Sequence, residues 1–147
     1  MKRSRLHWLA AFLLCYLFPC FAHHMAVVVN KENNIGTVTS SHLAKIFRGE
    51  VKKWPDAKDV VLVLHRDSGG EMLTLEHLTK MPTDELKALI AAHKDSITMG
   101  DSDDDILKAV EGTSGAIGLV DVRSINDQVN VLKVDGKLPH EAGYLPH

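Results

Sequence analysis

The sequence predicts an α/β fold, with helices packed on a mostly parallel central sheet. Three observations carry this. Runs of β-branched and aliphatic residues at 25–29, 60–64, 116–120 and 129–134 read as strands. Between them, Leu43/Ile46/Phe47, Leu86/Leu89/Ile90 and Ile106/Leu107/Val110 repeat at helical spacing. The first two runs lack polar–apolar alternation, the pattern of strands buried on both faces. Strands alternating with helices make a layered α/β domain.

The chain opens with Lys2, Arg3 and Arg5, then an apolar run from Leu6 to about Phe18, then Pro19 and Ala22. This is the tripartite layout of a secretory signal. The run is short for a bilayer span, which takes about 20 apolar residues. The expected organisation is a signal peptide over 1–22 and one domain over 23–147, exported across the inner membrane to the periplasm. Both cysteines, Cys15 and Cys20, fall in the leader. The expected mature chain therefore has no disulfide, thiolate nucleophile or zinc–thiolate site. Cleavage removes three of the 17 basic residues and none of the 19 acidic ones, which moves the formal charge from −2 to −5. A mildly acidic domain without a basic stripe is a poor nucleic-acid binder.

The elements follow in order. Residues 25–29 form a buried strand, and the polar stretch 30–36 a loop. Thr39, Ser40 or Ser41 caps a helix that Gly49 ends. Trp54 plugs the core from the turn at 52–56. The strand at 60–64 runs into a glycine-rich turn and a helix over 71–79. Met81-Pro82 breaks the chain, and Thr83 caps a helix whose Leu86, Leu89, Ile90 and His93 face inward. Ser102 with Asp105 is a capping-box pattern for a helix ending at Gly112. Strands at 116–120 and 129–134 follow, with a turn at Asp135-Gly136 and an irregular tail.

The segment with most chemistry is the turn after the second strand. Gly69 and Gly70 at a helix start expose backbone N–H groups where the helix dipole is positive, a setting that suits anions. Arg66 adds a two-pronged donor and Ser68 a hydroxyl. Asp67 is placed to orient Arg66 or to accept a proton from a protonated oxyanion. His65, at the strand end, stands beside them. Glu71 counts against an anion, because it puts negative charge in the same turn. The plainer alternative is an ordinary strand-to-helix connection with Ser68 as N-cap.

Other motifs fail. The acidic run 101–105 resembles the start of a calcium loop, but Ile106 and Gly112 stand where such a loop needs Gly and Glu. The stretch 112–115 is not a Gly-x-Ser-x-Gly elbow. No histidine pair has metal-ligand spacing on an expected helix. No cofactor, metal or catalytic residue is expected, and the reading is not an enzyme.

The segment Thr39-Ser40-Ser41-His42-Leu43-Ala44-Lys45-Ile46-Phe47-Arg48-Gly49, with Trp54 five residues on, resembles a stretch of the phosphate-binding proteins of ABC transporters. In them a short helix ends in an Ile-Phe/Tyr-x-Gly step followed by such a Trp. Val27-Val28-Val29-Asn30 is similar to their preceding strand. Gly115-Ala116-Ile117-Gly118-Leu119-Val120 is similar to their Gly-Ala-Ile-Gly-Tyr-Val strand, with Leu119 in place of Tyr. The resemblance implies a single lobe of the type-2 periplasmic-binding-protein-like fold. It implies phosphate or a similar small oxyanion as ligand, held by Arg66, Ser68, Gly69 and Gly70; Asp67 and His65, from the reading of the turn itself, are the candidates to support them. It also implies membrane transport components as partners. The turn is shorter than the family's Arg-x-x-Gly-Ser-Gly-Thr, and the chain is about half the family's length. The alternative function is an envelope accessory protein with a vestigial ligand site, acting through a partner or as a homodimer that rebuilds the cleft.

Overall fold

The computed structural model describes residues 24–146. The expected signal peptide lies outside them. The chain forms β1 (Met25–Asn30), β2 (Thr37–Val38), α1 (Ser40–Phe47), β3 (Val61–His65), α2 (Gly69–Thr79) and α3 (Thr83–Ala92). It continues through β4 (Ile97–Gly100), α4 (Asp103–Gly112), β5 (Ala116–Asp121), β6 (Val129–Val131) and β7 (Lys133–Val134). The main sheet has the order β4-β3-β5-β1-β6, and β2 pairs with β7 beside it. None of the described helices is long and apolar enough to cross a membrane.

The sheet is mostly parallel. β3 runs parallel to β4 and β5, while β1 is antiparallel to β5 and β6. Four of the five strands therefore point one way, with β1 reversed among them. The apolar sequence of β1 matches its burial on both faces, but burial fixes a central position and not a direction.

Alternation along the strands divides the core. Val27, Val29, Leu62, Leu64, Ile117 and Leu119 pack on the face covered by α1, α2 and α3. Val28, Val63 and Val120 pack on the other, under Ile106, Leu107 and Val110 of α4. Gly118 lets α4 approach closely. A Cβ there would lie 2.9 Å from Ile106 Cγ2 and 3.1 Å from the Val63 carbonyl oxygen.

Local chemistry sets the ends. Thr39 caps α1, its Oγ1 accepting from the His42 N–H at 3.1 Å. Trp54 is buried, and its Nε1 donates to the Gly115 carbonyl at 2.8 Å. Gly115 holds φ +81°, and a Cβ there would come within 2.0 Å of the Asp59 carbonyl oxygen. Only glycine fits that bend.

Four details depart from the sequence reading. Pro82 occupies the cap position of α3 with no side-chain bond, and the Thr83 hydroxyl instead donates to the Glu76 carboxylate. On α3 only Leu86 is fully buried; Leu89 and Ile90 are half-buried and His93 is exposed, because the helix lies at the margin of the core. Strands β2 and β4 were not anticipated; each is short, and Thr37 and Thr98 are exposed. The strand at 129–134 is two strands, broken at Leu132.

Tyr144 fills that break. The Val27 N–H donates to its hydroxyl at 3.1 Å, and the hydroxyl donates to the Leu132 carbonyl at 2.6 Å. One phenol replaces two strand partners, which ties the tail to the sheet. Burial pushes the Tyr144 phenol up to about 12.

Candidate functional site

β3 leaves the carboxyl edge of the sheet into α2 on one face, and its neighbour β4 leaves the same edge into α4 on the other. Adjacent parallel strands whose connections diverge in this way leave a crevice at their ends, the usual ligand position in open α/β sheets. The Arg66 N–H donates to the Gly100 carbonyl at 2.8 Å, closing the strand pair where the crevice begins. The turn 66–70 thus stands at the topological switch point.

Ser68 is the N-cap of α2, its Oγ accepting from the Glu71 N–H at 3.2 Å. The N-cap reading of Ser68 therefore holds, and it coexists with a hydroxyl proton still able to donate. Gly69 and Gly70 are exposed, with open space where a Cβ would sit. The first N–H groups of a helix lack intrahelical partners, so these two glycines begin α2 in accessible positions. Ser68 and Gly70 line a depression of about 250 Å³ together with Met25, Asp103 and Asp121. Asp67 is exposed at the turn. Arg66 does not line that depression. Its guanidinium pairs with Asp101 at the end of β4, and its side chain is 55% exposed. An exposed pair of this kind is worth about 0–1 kcal/mol, so a competing anion displaces it at little cost.

Glu71 does not oppose an anion as its sequence position suggests. Its side chain turns inward and is 4% exposed. Oε2 accepts from the His65 backbone N–H at 2.7 Å, and Oε1 lies 3.3 Å from His65 Nδ1. His65 Nε2 is 2.8 Å from Asp103 Oδ1 in the first turn of α4. The other Asp103 oxygen accepts from the Asp121 N–H at 3.1 Å and from the Ser124 hydroxyl. His65 thereby links the starts of α2 and α4 and, through Asp103, the end of β5. The Glu71 carboxylate is the main influence raising the pKa of His65, against an opposing effect of burial. Burial is the main cause raising that of Glu71. Both directions favour the protonated form of each group.

Sequence reading located the turn but not this cluster. The signals for it were a lone acid directly after a glycine pair and an aspartate in the first turn of the helix after Gly100. Neither shows from sequence that its carboxylate turns toward the same imidazole.

An open α/β lobe with its crevice at a switch point is a ligand-binding architecture. Residues 19–143 match the model of the PBP superfamily domain, and the chain belongs to that superfamily. Among solved structures, it is similar to an ABC-type phosphate transport receptor from Vibrio cholerae at 19% identity and TM-score 0.63, covering 79% of this chain and 48% of that one. A putative phosphate ABC transporter substrate-binding protein with bound phosphate from Clostridium perfringens matches at 22% identity and TM-score 0.67, covering 79% and 46%. PstS from Borrelia burgdorferi matches at 19% and 0.64, covering 79% and 49%. The chain spans about half the length of these structures. At such identities the likeness establishes the shared fold.

Proposed function

We propose that the chain is an exported solute-binding module that takes phosphate or another small oxyanion at the turn formed by Arg66, Ser68, Gly69 and Gly70. The observation that carries this is the inward turn of Glu71. It leaves the positive end of α2 open to the crevice, with two exposed glycines and a hydroxyl around it. Arg66 supplies an exposed cation, paired with Asp101 in the free protein, and Asp67 a group able to accept a proton from a protonated oxyanion. The solved structures named for phosphate share this fold and support the choice of ligand class. The transport receptor and the transporter substrate-binding protein among them support a periplasmic location, ABC transporter components as partners and a role without catalysis. Calorimetry with inorganic phosphate tests the reading. Heat of binding that weakens in Arg66→Ala supports it; no heat at millimolar phosphate, with wild type and variant alike, overturns it.

A second reading has one observation in its favour. Leu73 is 51% exposed on α2, one helical turn beyond Gly69. An apolar side chain beside the turn suits a covering surface, from an envelope partner or a second copy that completes the cleft. Light scattering that shows a strict monomer, with no change on Leu73→Ser, argues against the second copy.

A further inference from the structure

Both ring nitrogens of His65 face carboxylates, and the three groups belong to three different elements. His65 ends β3, Glu71 lies in the first turn of α2 and Asp103 in that of α4. A neutral imidazole has one N–H and one lone pair. It can satisfy one of its two carboxylate neighbours as a donor and must present the lone pair to the other. An imidazolium donates toward both. The His65 side chain is 8% exposed and that of Glu71 4%, so solvent offers little substitute. Among the described residues, His65 Nδ1 and Glu71 Oε1 have no hydrogen-bond partner, although 3.3 Å apart. They are set for a contact that depends on where a proton sits.

The same cluster supports the turn. Glu71 holds the His65 backbone N–H through one oxygen, and its own N–H caps onto Ser68. A change in the Glu71–His65 contact therefore reaches Gly70 and Gly69 through one and two peptide units and Ser68 through the cap. Asp103 lines the depression beside them.

We infer that His65 is a proton-dependent positioning residue of the turn: as imidazolium it clamps Glu71 of α2 against Asp103 of α4, and loss of its proton loosens Ser68, Gly69 and Gly70. This rests on the proposed anion site only for its consequence, which is tighter anion binding below the cluster's transition than above it. The charged groups around His65 are Glu71 from α2, Asp103 from α4, Asp101 from the end of β4, Asp121 from the end of β5 and its own neighbour Arg66. Asp101 is engaged by Arg66, so Glu71 and Asp103 are the two that face the ring. Both raise its proton affinity, and burial opposes them.

The test is nuclear magnetic resonance of the wild-type protein without any anion, followed across pH. The ring nitrogens of His65 report its protonation state, and the backbone amides of Ser68, Gly69, Gly70 and Glu71 report the turn. The expected result is an imidazolium with a midpoint above the ordinary 6.5, and turn amides that shift with that midpoint. In Glu71→Gln the midpoint falls and the amide shifts shrink. A His65 that is neutral at pH 6, or turn amides indifferent to its titration, overturns the inference. Wild type alone decides this, so failure of the variant to fold does not spare it. A final titration with sulfate, which keeps its charge across the range, separates the two ideas. Amides that follow His65 but ignore both sulfate and phosphate sink the anion site and leave the clamp standing.

Discussion

Glu71 Oε2 accepts the backbone N–H of His65 at 2.7 Å, across a turn that brings the start of α2 back onto the end of β3. This contact turns a residue that sequence position marks as anion-repelling into part of the scaffold. Its first consequence is a pH dependence of stability. His65 and Glu71 both have raised pKa values in the folded state, so at a given pH the folded chain binds more protons than the unfolded one. Stability then falls as pH rises. The His65 contribution is complete below 6.5 and is lost as pH climbs through its higher folded value; the Glu71 penalty is absent below 4.5 and grows above it. Thermal melts from pH 5 to 9 are expected to show declining midpoints, with a flatter profile in His65→Gln.

Removing the carboxylate strands a buried donor. Glu71→Ala leaves the His65 N–H without its acceptor, at a cost of about 1–3 kcal/mol. Glu71→Gln keeps an amide oxygen for that N–H and is expected to cost less. Urea denaturation of the two variants orders them.

Tyr144→Phe removes the hydroxyl that serves both Val27 and Leu132. Two buried backbone groups lose their partner at once, and the expected loss is about 1–3 kcal/mol or somewhat more. Hydrogen exchange at the Val27 amide should accelerate in the variant well beyond that of its neighbours in β1.

Gly118→Ala and Gly115→Ala test two different demands on glycine. At 118 the new methyl overpacks against Ile106 and the Val63 carbonyl, for about 1–3 kcal/mol. At 115 it meets the Asp59 carbonyl at 2.0 Å in a left-handed backbone, and the bend that holds Trp54 cannot form unchanged. Denaturation is expected to rank Gly115→Ala as the more damaging.

Asp101 competes with any anion for Arg66. Asp101→Asn frees the guanidinium and is expected to tighten phosphate binding by roughly two- to five-fold, the worth of an exposed ion pair. Calorimetry at low ionic strength measures it, and the gain should shrink as salt is added.

Much of the fold was legible because its signals are local. Thr39, Ser68 and Ser102 cap the helices that their spacing marks, and the apolar runs at 25–29 and 116–120 are strands. What escaped depends on tertiary contacts. The direction of β1, the break at Leu132 and the shallow seating of α3 are fixed by packing against distant residues, and no local pattern encodes them. The candidate turn was readable from its glycines and Arg66. The Glu71–His65–Asp103 cluster was not, because its ends, His65 and Asp103, lie 38 positions apart and meet only when the starts of α2 and α4 are set side by side.

The central claim is that the turn beginning α2 receives a small oxyanion. Titrating inorganic phosphate into isotope-labelled protein while following backbone amides tests it most directly. The account predicts saturating shifts centred on Ser68, Gly69 and Gly70 that weaken in Arg66→Ala. Unmoved amides at these three positions at millimolar phosphate, or shifts centred elsewhere and untouched by Arg66→Ala, would contradict it.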